Sequence, residues 1–269
     1  MKKIAAILTL GLATAASVNA QQSDSLVTRR DTIMLQSPFS INDALIKQND
    51  RKKAMKSLLI PGAMITYGFI TLGNNGLKNI NTEIKEDIWL DNPHKPTHID
   101  NYLMFLPAAS VYGLNAIGVH GKNNFKDRTM IFLLSNIIVN ATVFSVKKVT
   151  HQLRPDGSDY FSFPSGHTAQ AFAAAEFIRQ EYKDVSPWYG ITGYTMAAAT
   201  GYLRLYNNKH WFNDVVAGAG FGILSTKVAY WIYPAIKRKF FKDNPANMLV
   251  IPFYGNGVAG LSLICNFNN

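Results

Sequence analysis

Long apolar segments separated by short polar connections dominate the chain from residue 57 onward. Each segment is about 14–22 residues long, close to the roughly 20 residues with which an untilted helix crosses a membrane. Small residues are frequent within the segments, and they let helices approach closely in a bilayer or in a soluble bundle. The pattern predicts an all-α bundle of about six helices, embedded in a membrane, over residues 57–72, 101–119, 129–146, 167–180, 187–203 and 212–233.

The two ends of the chain depart from this helical pattern. Residues 1–20 have the basic start, the short apolar run and the small residues before a cleavage position that are typical of a secretory signal. Near the other end, two apolar runs flank Gly-Asn-Gly at 255–257, which predicts a small β-hairpin. We therefore divide the chain into a signal peptide (1–20), a polar tail (21–56), a helical domain (57–235) and a basic segment with the hairpin (236–269).

Composition and charge narrow the class of protein. The 269 residues are 48% hydrophobic and 16% charged, which excludes disorder over most of the length. A single cysteine, Cys265, excludes an internal disulfide framework and a Cys-based zinc cluster. The net charge of +10 is compatible with nucleic acid, anionic lipid or phosphorylated substrates. We expect no nucleic-acid partner, because the basic residues form neither an amphipathic stripe nor a nucleic-acid-reading motif.

Three polar clusters interrupt the apolar segments, at 147–155, 164–167 and 204–214. Taken singly, each has a purely structural explanation. Lysines at a helix end favour the helix dipole, and Ser165 before a helix acts as a cap. His210 and Asp214, four residues apart, form an ordinary pair on a helix surface.

Taken together, the clusters fit phosphate chemistry. Lys147, Arg154 and Arg204 supply the charged donors that a phosphate dianion requires. Ser165, Gly166 and the first backbone N–H groups of the following helix add a neutral cradle for an anion.

The histidines complete this set with reactive groups. Asp214 holds the proton of one ring nitrogen of His210, which leaves the other nitrogen to attack phosphorus. His167 is placed to protonate a leaving oxygen. This chemistry requires no metal, and we expect no cofactor.

In the order and spacing of these motifs the sequence resembles the type 2 phosphatidic acid phosphatase family, which shares its fold and site with bacterial class A acid phosphatases and vanadium haloperoxidases. The family signature is Lys-x6-Arg-Pro, then Pro-Ser-Gly-His, then Ser-Arg-x5-His-x3-Asp. It is matched at 147–155, 164–167 and 204–214, except that Leu203 stands where the family usually has serine. Three spaced motifs in the expected order are far more specific than one short motif.

The resemblance implies a role for each matched residue. His210 would form a phosphohistidine intermediate, oriented by Asp214, and His167 would protonate the leaving group and then help to activate water. The phosphoryl oxygens would be held by Lys147, Arg154, Ser165, Gly166 and Arg204.

The distribution of basic residues predicts the side of the membrane on which the motifs lie. If 101–119 and 129–146 span, the basic residues between them lie on the same side as those at 179–183 and 237–242, and the motifs lie on the other. The positive-inside rule then predicts a bacterial inner-membrane protein whose site faces the periplasm. A cleaved signal would however leave the basic residues just before residue 57 outside. Either the signal is retained, or 57–72 does not span, or the protein is a soluble periplasmic bundle.

The resemblance and the expected location together imply a metal-independent phosphatase acting on a lipid-like phosphomonoester or diphosphate. The substrate classes are phosphatidic acid, phosphatidylglycerol phosphate, undecaprenyl diphosphate and lipid A, with lipid A 4′-phosphate and undecaprenyl diphosphate the first to test. Three alternatives stay open: a haloperoxidase with vanadate on His210, a soluble non-specific acid phosphatase, and a non-catalytic membrane scaffold, which would need none of the motif residues.

Overall fold

The computed structural model describes residues 52, 55–240, 247–255 and 258–266. The predicted signal peptide and most of the polar tail lie outside these residues. The described part contains eight α-helices, which confirms the predicted all-α class for the helical domain. They are α1 (Leu59–Gly73), α2 (Asn75–Lys85), α3 (Asp100–Leu103), α4 (Leu106–Ala116), α5 (Phe125–Thr150), α6 (Gly166–Tyr182), α7 (Pro187–Tyr206) and α8 (Phe212–Phe240).

Two features of this helix pattern differ from the prediction. The segment 101–119 is not one helix but two, α3 and α4, and Pro107 lies in the first turn of α4. Proline is tolerated at a helix start but breaks a helix interior, because it lacks an N–H and clashes with the preceding turn. The helix α2, which continues into a π-helix at Glu86–Leu90, was missed because its 11 residues are mostly polar.

Helix α6 is the central element of the bundle and packs against α4, α5, α7 and α8. Its alanines are almost fully buried, as is Phe177. Alanine-rich faces bring helix axes close together, so α6 can be surrounded on most of its circumference. The N-terminus of α6, which carries the Pro-Ser-Gly-His motif, is therefore fixed by the core of the bundle.

Glycines on α8 allow its close approach to α6. A Cβ atom at Gly218 would lie 2.6 Å from the carbonyl oxygen of Ser165, and one at Gly222 would lie 2.2 Å from that of Ala169. Real Cβ atoms do not approach a backbone oxygen so closely, so any larger residue would push the two helices apart. These contacts set the distance between the second motif on α6 and the third motif at the start of α8.

Three helices of the described residues are long and apolar enough to cross a membrane: Met55–Gly73, Phe125–Thr150 and Phe212–Lys239. The first two have only 17% and 22% of their most apolar window buried. On α5 the exposed apolar residues include Leu133, Ile137 and Phe144, each more than half exposed. Such an outward apolar face is typical of a helix that contacts lipid.

The alternating direction of the long helices brings all three motifs to one end of the bundle. Helix α5 ends where α6 begins, and α7 ends where α8 begins. The backbone N–H of Ser165 donates to the carbonyl oxygen of Asp214 at 3.0 Å, joining the second motif directly to the third. We call this end the motif end of the bundle.

Beyond α8 the chain forms two strands, β1 (Asn247–Gly255) and β2 (Val258–Asn266). They pair antiparallel, with Asn247 opposite Asn266 and Gly255 opposite Val258. These strands occupy the segment in which the sequence predicts a hairpin around Gly-Asn-Gly.

Candidate active site

His210 is held between a carboxylate and a guanidinium at the motif end. Its Nδ1 lies 3.4 Å from Asp214 Oδ2, and its Nε2 lies 3.2 Å from Arg154 Nη1. A guanidinium can only donate hydrogen bonds, so Nε2 must present its lone pair and Nδ1 must carry the proton. This is the tautomer that a histidine nucleophile needs, since the nitrogen away from Asp214 carries the lone pair that can attack.

The surroundings of His210 keep its imidazole neutral. The residue is only 4% exposed. Burial, followed by the positive charges of Lys147, Arg204 and Arg154, lowers the pKa of His210 well below its ordinary value of 6.5. The ring is therefore neutral, and nucleophilic, at neutral and mildly acidic pH.

Asp214 is fixed by three further hydrogen bonds. Its Oδ2 accepts from Ser162 Oγ at 2.5 Å and from the backbone N–H of Trp211 at 2.9 Å. Its own carbonyl oxygen accepts from Ser165. The carboxylate is fully buried, so its position relative to His210 is set by the fold and not by solvent.

Each arginine of the motifs is oriented by a carboxylate from outside them. Arg154 donates from Nε to Asp159 Oδ1 at 2.8 Å and from Nη1 to the carbonyl oxygen of Lys209 at 3.0 Å. Arg204 donates from Nη1 to Asp100 Oδ2. The Nε atom of Arg204 is buried and has no hydrogen-bond partner among the described residues. A buried guanidinium donor without an acceptor is costly, and a phosphate oxygen would satisfy it.

Lys147 reaches the site from the last turn of α5. Its ammonium donates to the carbonyl oxygens of Phe161 and Ser162, the latter at 3.1 Å. Two of the three ammonium donors thus hold the loop before α6 in place. The third donor is available to an anion bound beside His210.

The N-terminus of α6 forms the neutral side of the site. Ser165 caps this helix, its Oγ accepting from Thr168 N at 3.4 Å and from Thr168 Oγ1 at 2.9 Å. A Cβ atom at Gly166 would meet only Val143, at an ordinary distance of 3.9 Å. Packing within the protein does not require glycine here, and without a side chain at Gly166 an anion can approach the first N–H groups of α6.

His167 faces the same space from the first turn of α6. Its Nε2 lies 2.8 Å from Asn101 Oδ1. Burial, followed by the positive charge of Arg204, lowers the pKa of His167 to about 4. The imidazole is therefore neutral while the site holds only its own cations, and an anion that offsets those cations would raise its pKa.

The structure brings together all eight residues predicted from the three motifs and adds three that the sequence analysis missed. Asp100 and Asn101, on the four-residue helix α3, position Arg204 and His167. Ser162 positions Asp214. The only sequence signal for Asp100 is a lone carboxylate at the start of an apolar segment. Its partner lies 104 positions away, so the pairing could not be read from local spacing.

Comparison with known proteins shows what the part of the chain that carries the motifs is similar to. Residues 128–238 match the PAP2 superfamily. A lipid A 1-phosphatase of Porphyromonas gingivalis is 36% identical over 161 residues, which are 60% of this chain and 36% of that protein. The match thus spans about a third of the relative's length.

Two solved structures show weaker likeness. A transmembrane PAP2 type phosphatidylglycerolphosphate phosphatase from Bacillus subtilis is 21% identical, with 69% of this chain and 99% of that chain covered and a TM-score of 0.47. LpxE of Aquifex aeolicus is 24% identical, with 56% and 95% covered and a TM-score of 0.43. The resemblance predicted from the three motifs is confirmed by the match of residues 128–238 to the PAP2 superfamily, a range that contains all three motifs.

Proposed function

We propose that the protein is a phosphatase that hydrolyses a phosphomonoester of a membrane lipid through a phosphohistidine on His210. The observation that carries this proposal is the environment of the ring, with Nδ1 against Asp214 and Nε2 against Arg154. A histidine with a purely structural role has no need to direct the lone pair of Nε2 towards Lys147, Arg154 and Arg204. A histidine that attacks a phosphorus atom bound by these three cations does need this arrangement.

In the first step, Nε2 of His210 attacks phosphorus and the bond from phosphorus to the leaving oxygen breaks. The leaving oxygen takes a proton from His167. The phosphoryl oxygens are held by Lys147, Arg154 and Arg204, which offset the charge that develops on them. Since the pKa of His167 is about 4 without substrate, His167 receives its proton only when the phosphate is bound.

In the second step, a water molecule attacks the phosphohistidine while His167, now neutral, takes the proton of that water. The bond between phosphorus and Nε2 breaks and inorganic phosphate leaves. Asp214 stabilises the imidazole through Nδ1 in both steps. His210 returns to its starting tautomer, so the cycle is balanced without any group beyond water.

The first substrate to test is lipid A phosphorylated at position 1. This choice is supported by the name of the Porphyromonas gingivalis relative, a lipid A 1-phosphatase. It differs from the expectation from sequence, which put the 4′-phosphate of lipid A and undecaprenyl diphosphate first. A lipid substrate also agrees with the three membrane-capable helices.

We further propose that the motif end faces the periplasm from the bacterial inner membrane. Support comes from the basic residues at the opposite end, including Lys122, Lys183 and Lys237, which the positive-inside rule assigns to the cytoplasm. A tag at residue 40 tests the orientation of the first membrane-capable helix. Its digestion by protease in intact spheroplasts would place residue 40 outside, and its protection would place it inside.

Phosphate release from a panel of lipids tests the activity. The purified protein is incubated with lipid A carrying phosphate at 1 and 4′, phosphatidic acid, phosphatidylglycerol phosphate and undecaprenyl diphosphate, and products are identified by mass spectrometry. The proposal expects loss of the 1-phosphate of lipid A. This loss should be abolished in His210→Ala and unchanged in the matched control His120→Ala, which alters an exposed histidine at the other end of the bundle. Release from no lipid would overturn the proposed activity, and release of the 4′-phosphate alone would overturn the proposed position.

A further inference from the structure

A cavity of about 630 Å³ lies at the end of the bundle opposite the motif end. It is formed by the C-terminal half of α6, the C-terminal half of α8 and the residues that lead into α1. At a rise of about 1.5 Å per residue, Lys227 in its wall lies about 22 Å along α8 from Phe212. We call this the rear cavity, and it shares no residue with the candidate active site.

The rear cavity carries an excess of positive charge. Arg179, Lys183 and Lys227 line it, and the carboxylate of Glu176 lies behind them. Glu176 accepts from Arg179 Nε at 2.7 Å and from Lys227 Nζ at 3.1 Å. One carboxylate is thus shared by two cations, and Lys183 adds a third. Three cations with one carboxylate leave the rear cavity with a net positive charge, which favours an anion.

The remaining walls are apolar. Met55 and Leu58 lie on one side of the rear cavity, and Val228 and Trp231 lie on the other. The indole of Trp231 is 72% exposed although it is large and apolar. A small hydrophilic anion would satisfy the cations but would leave these apolar surfaces uncovered.

A second cavity of about 640 Å³ adjoins the other side of the same cations. It shares Arg179 and Lys183 with the rear cavity, and its further lining includes Ile191 and Ala198 of α7. Two basic side chains therefore separate two grooves with largely apolar walls. An anionic head group with two hydrocarbon chains would match this arrangement, with the head group on the two basic side chains and one chain in each groove.

We propose that the rear cavity binds an anionic phospholipid, with the phosphodiester on Arg179 and Lys183 and the acyl chains along the two apolar grooves. Arginine and lysine both bind phosphate oxygens through charge-assisted hydrogen bonds. Basic pockets between helices at a membrane surface are suited to acidic lipid head groups. The helices α1 and α8 that flank the cavity are membrane-capable, so lipid has direct access to it. The proposal does not depend on the phosphatase activity.

Native mass spectrometry of the full chain tests this site. The protein is taken from vesicles of equal parts phosphatidylcholine and phosphatidylglycerol, and the bound lipids are counted. One phosphatidylglycerol should be retained in preference to phosphatidylcholine. Lys183→Gln should lower that retention about five-fold, which corresponds to about 1 kcal/mol for one lysine near a lipid surface. Lys183 is exposed, so its replacement should leave the unfolding temperature unchanged.

Two further variants separate the rear cavity from other lipid contacts. The matched control Lys122→Gln removes an exposed lysine that does not line this cavity, and it should retain phosphatidylglycerol as the wild type does. His167→Asn alters the candidate active site without breaking a buried ion pair and should also retain phosphatidylglycerol. Equal retention by wild type and Lys183→Gln would overturn the proposal, as would loss of retention in His167→Asn. Displacement of the lipid by inorganic phosphate alone would show a site for a free anion and would also overturn it.

Discussion

Asp100 offers a strong test of the site, because it is a buried carboxylate outside the motifs whose partner is the motif residue Arg204. It is 1% exposed, and it accepts from Arg204, itself 8% exposed. Its other oxygen lies 3.5 Å from Asn207 Nδ2. Replacing Asp100 by asparagine keeps the shape of the side chain but leaves the guanidinium of Arg204 without its counter-charge.

The expected cost follows from burial. Breaking a buried ion pair by removing one partner destabilises a protein by about 3–5 kcal/mol. For a domain of this size, about 3 kcal/mol lowers the unfolding temperature by about 6–12 °C. We also expect kcat/KM for the phosphate ester to fall at least about 10²-fold, because Arg204 no longer has a fixed position from which to bind a phosphoryl oxygen.

Asp159→Asn is the matched control, since Asp159 also binds a motif arginine. Its side chain is 42% exposed, and exposed ion pairs contribute at most about 1 kcal/mol. Thermal unfolding in detergent and steady-state phosphate release are measured for both variants. If Asp100→Asn and Asp159→Asn lowered the unfolding temperature equally, the inference from burial would be refuted. If Asp100→Asn kept wild-type kcat/KM, Asp100 would not position Arg204.

Three further predictions concern the groups that position the reactive side chains. Ser162→Ala removes the 2.5 Å hydrogen bond to Asp214 and should lower kcat/KM about ten-fold or more, in keeping with about 1.5–3 kcal/mol for a hydrogen bond to a charged group; unchanged kinetics would contradict this. Asn101→Asp places a carboxylate beside His167 Nε2 and should raise the pKa of His167 from about 4. The pH profile of kcat should then shift towards higher pH. An unshifted profile would show that Asn101 does not position His167. The pKa of His167 is lower in the folded protein than in the unfolded chain, so acidification below about pH 6.5 protonates His167 in the unfolded chain first and lowers the stability of the fold. The fall in unfolding temperature between pH 7 and pH 5 should therefore be smaller in His167→Asn than in the wild type. An equal fall would count against a neutral His167 in the folded protein.

Much of the site could be predicted from sequence because phosphate chemistry restricts the residue types and their spacing. Lys147 and Arg154 could be placed near each other because a helix end and a short loop join them. His210 and Asp214 could be paired because four residues make one helical turn. These are local relations, and local relations are what a single sequence displays.

The remaining parts depend on contacts between residues that are distant in the chain. Asp100 meets Arg204 only because α3 and the end of α7 pack together at the motif end. The break between α3 and α4 was missed because the apolar pattern continues through it, although Pro107 was a usable signal. Likewise, α6 and α8 can approach closely because Gly222 has no Cβ atom, which would collide with the backbone of Ala169. The sequence of α8 alone does not show which helix packs against Gly222.

Trapping the phosphorylated enzyme tests the central claim most directly. The protein is mixed with a radiolabelled phosphomonoester, quenched within milliseconds to seconds under alkaline conditions, digested, and the labelled peptide identified. We predict that the phosphoryl group is found on His210 and that it is absent from His210→Ala. Turnover by His210→Ala at the wild-type rate, or a label on any other residue, would contradict the proposed mechanism.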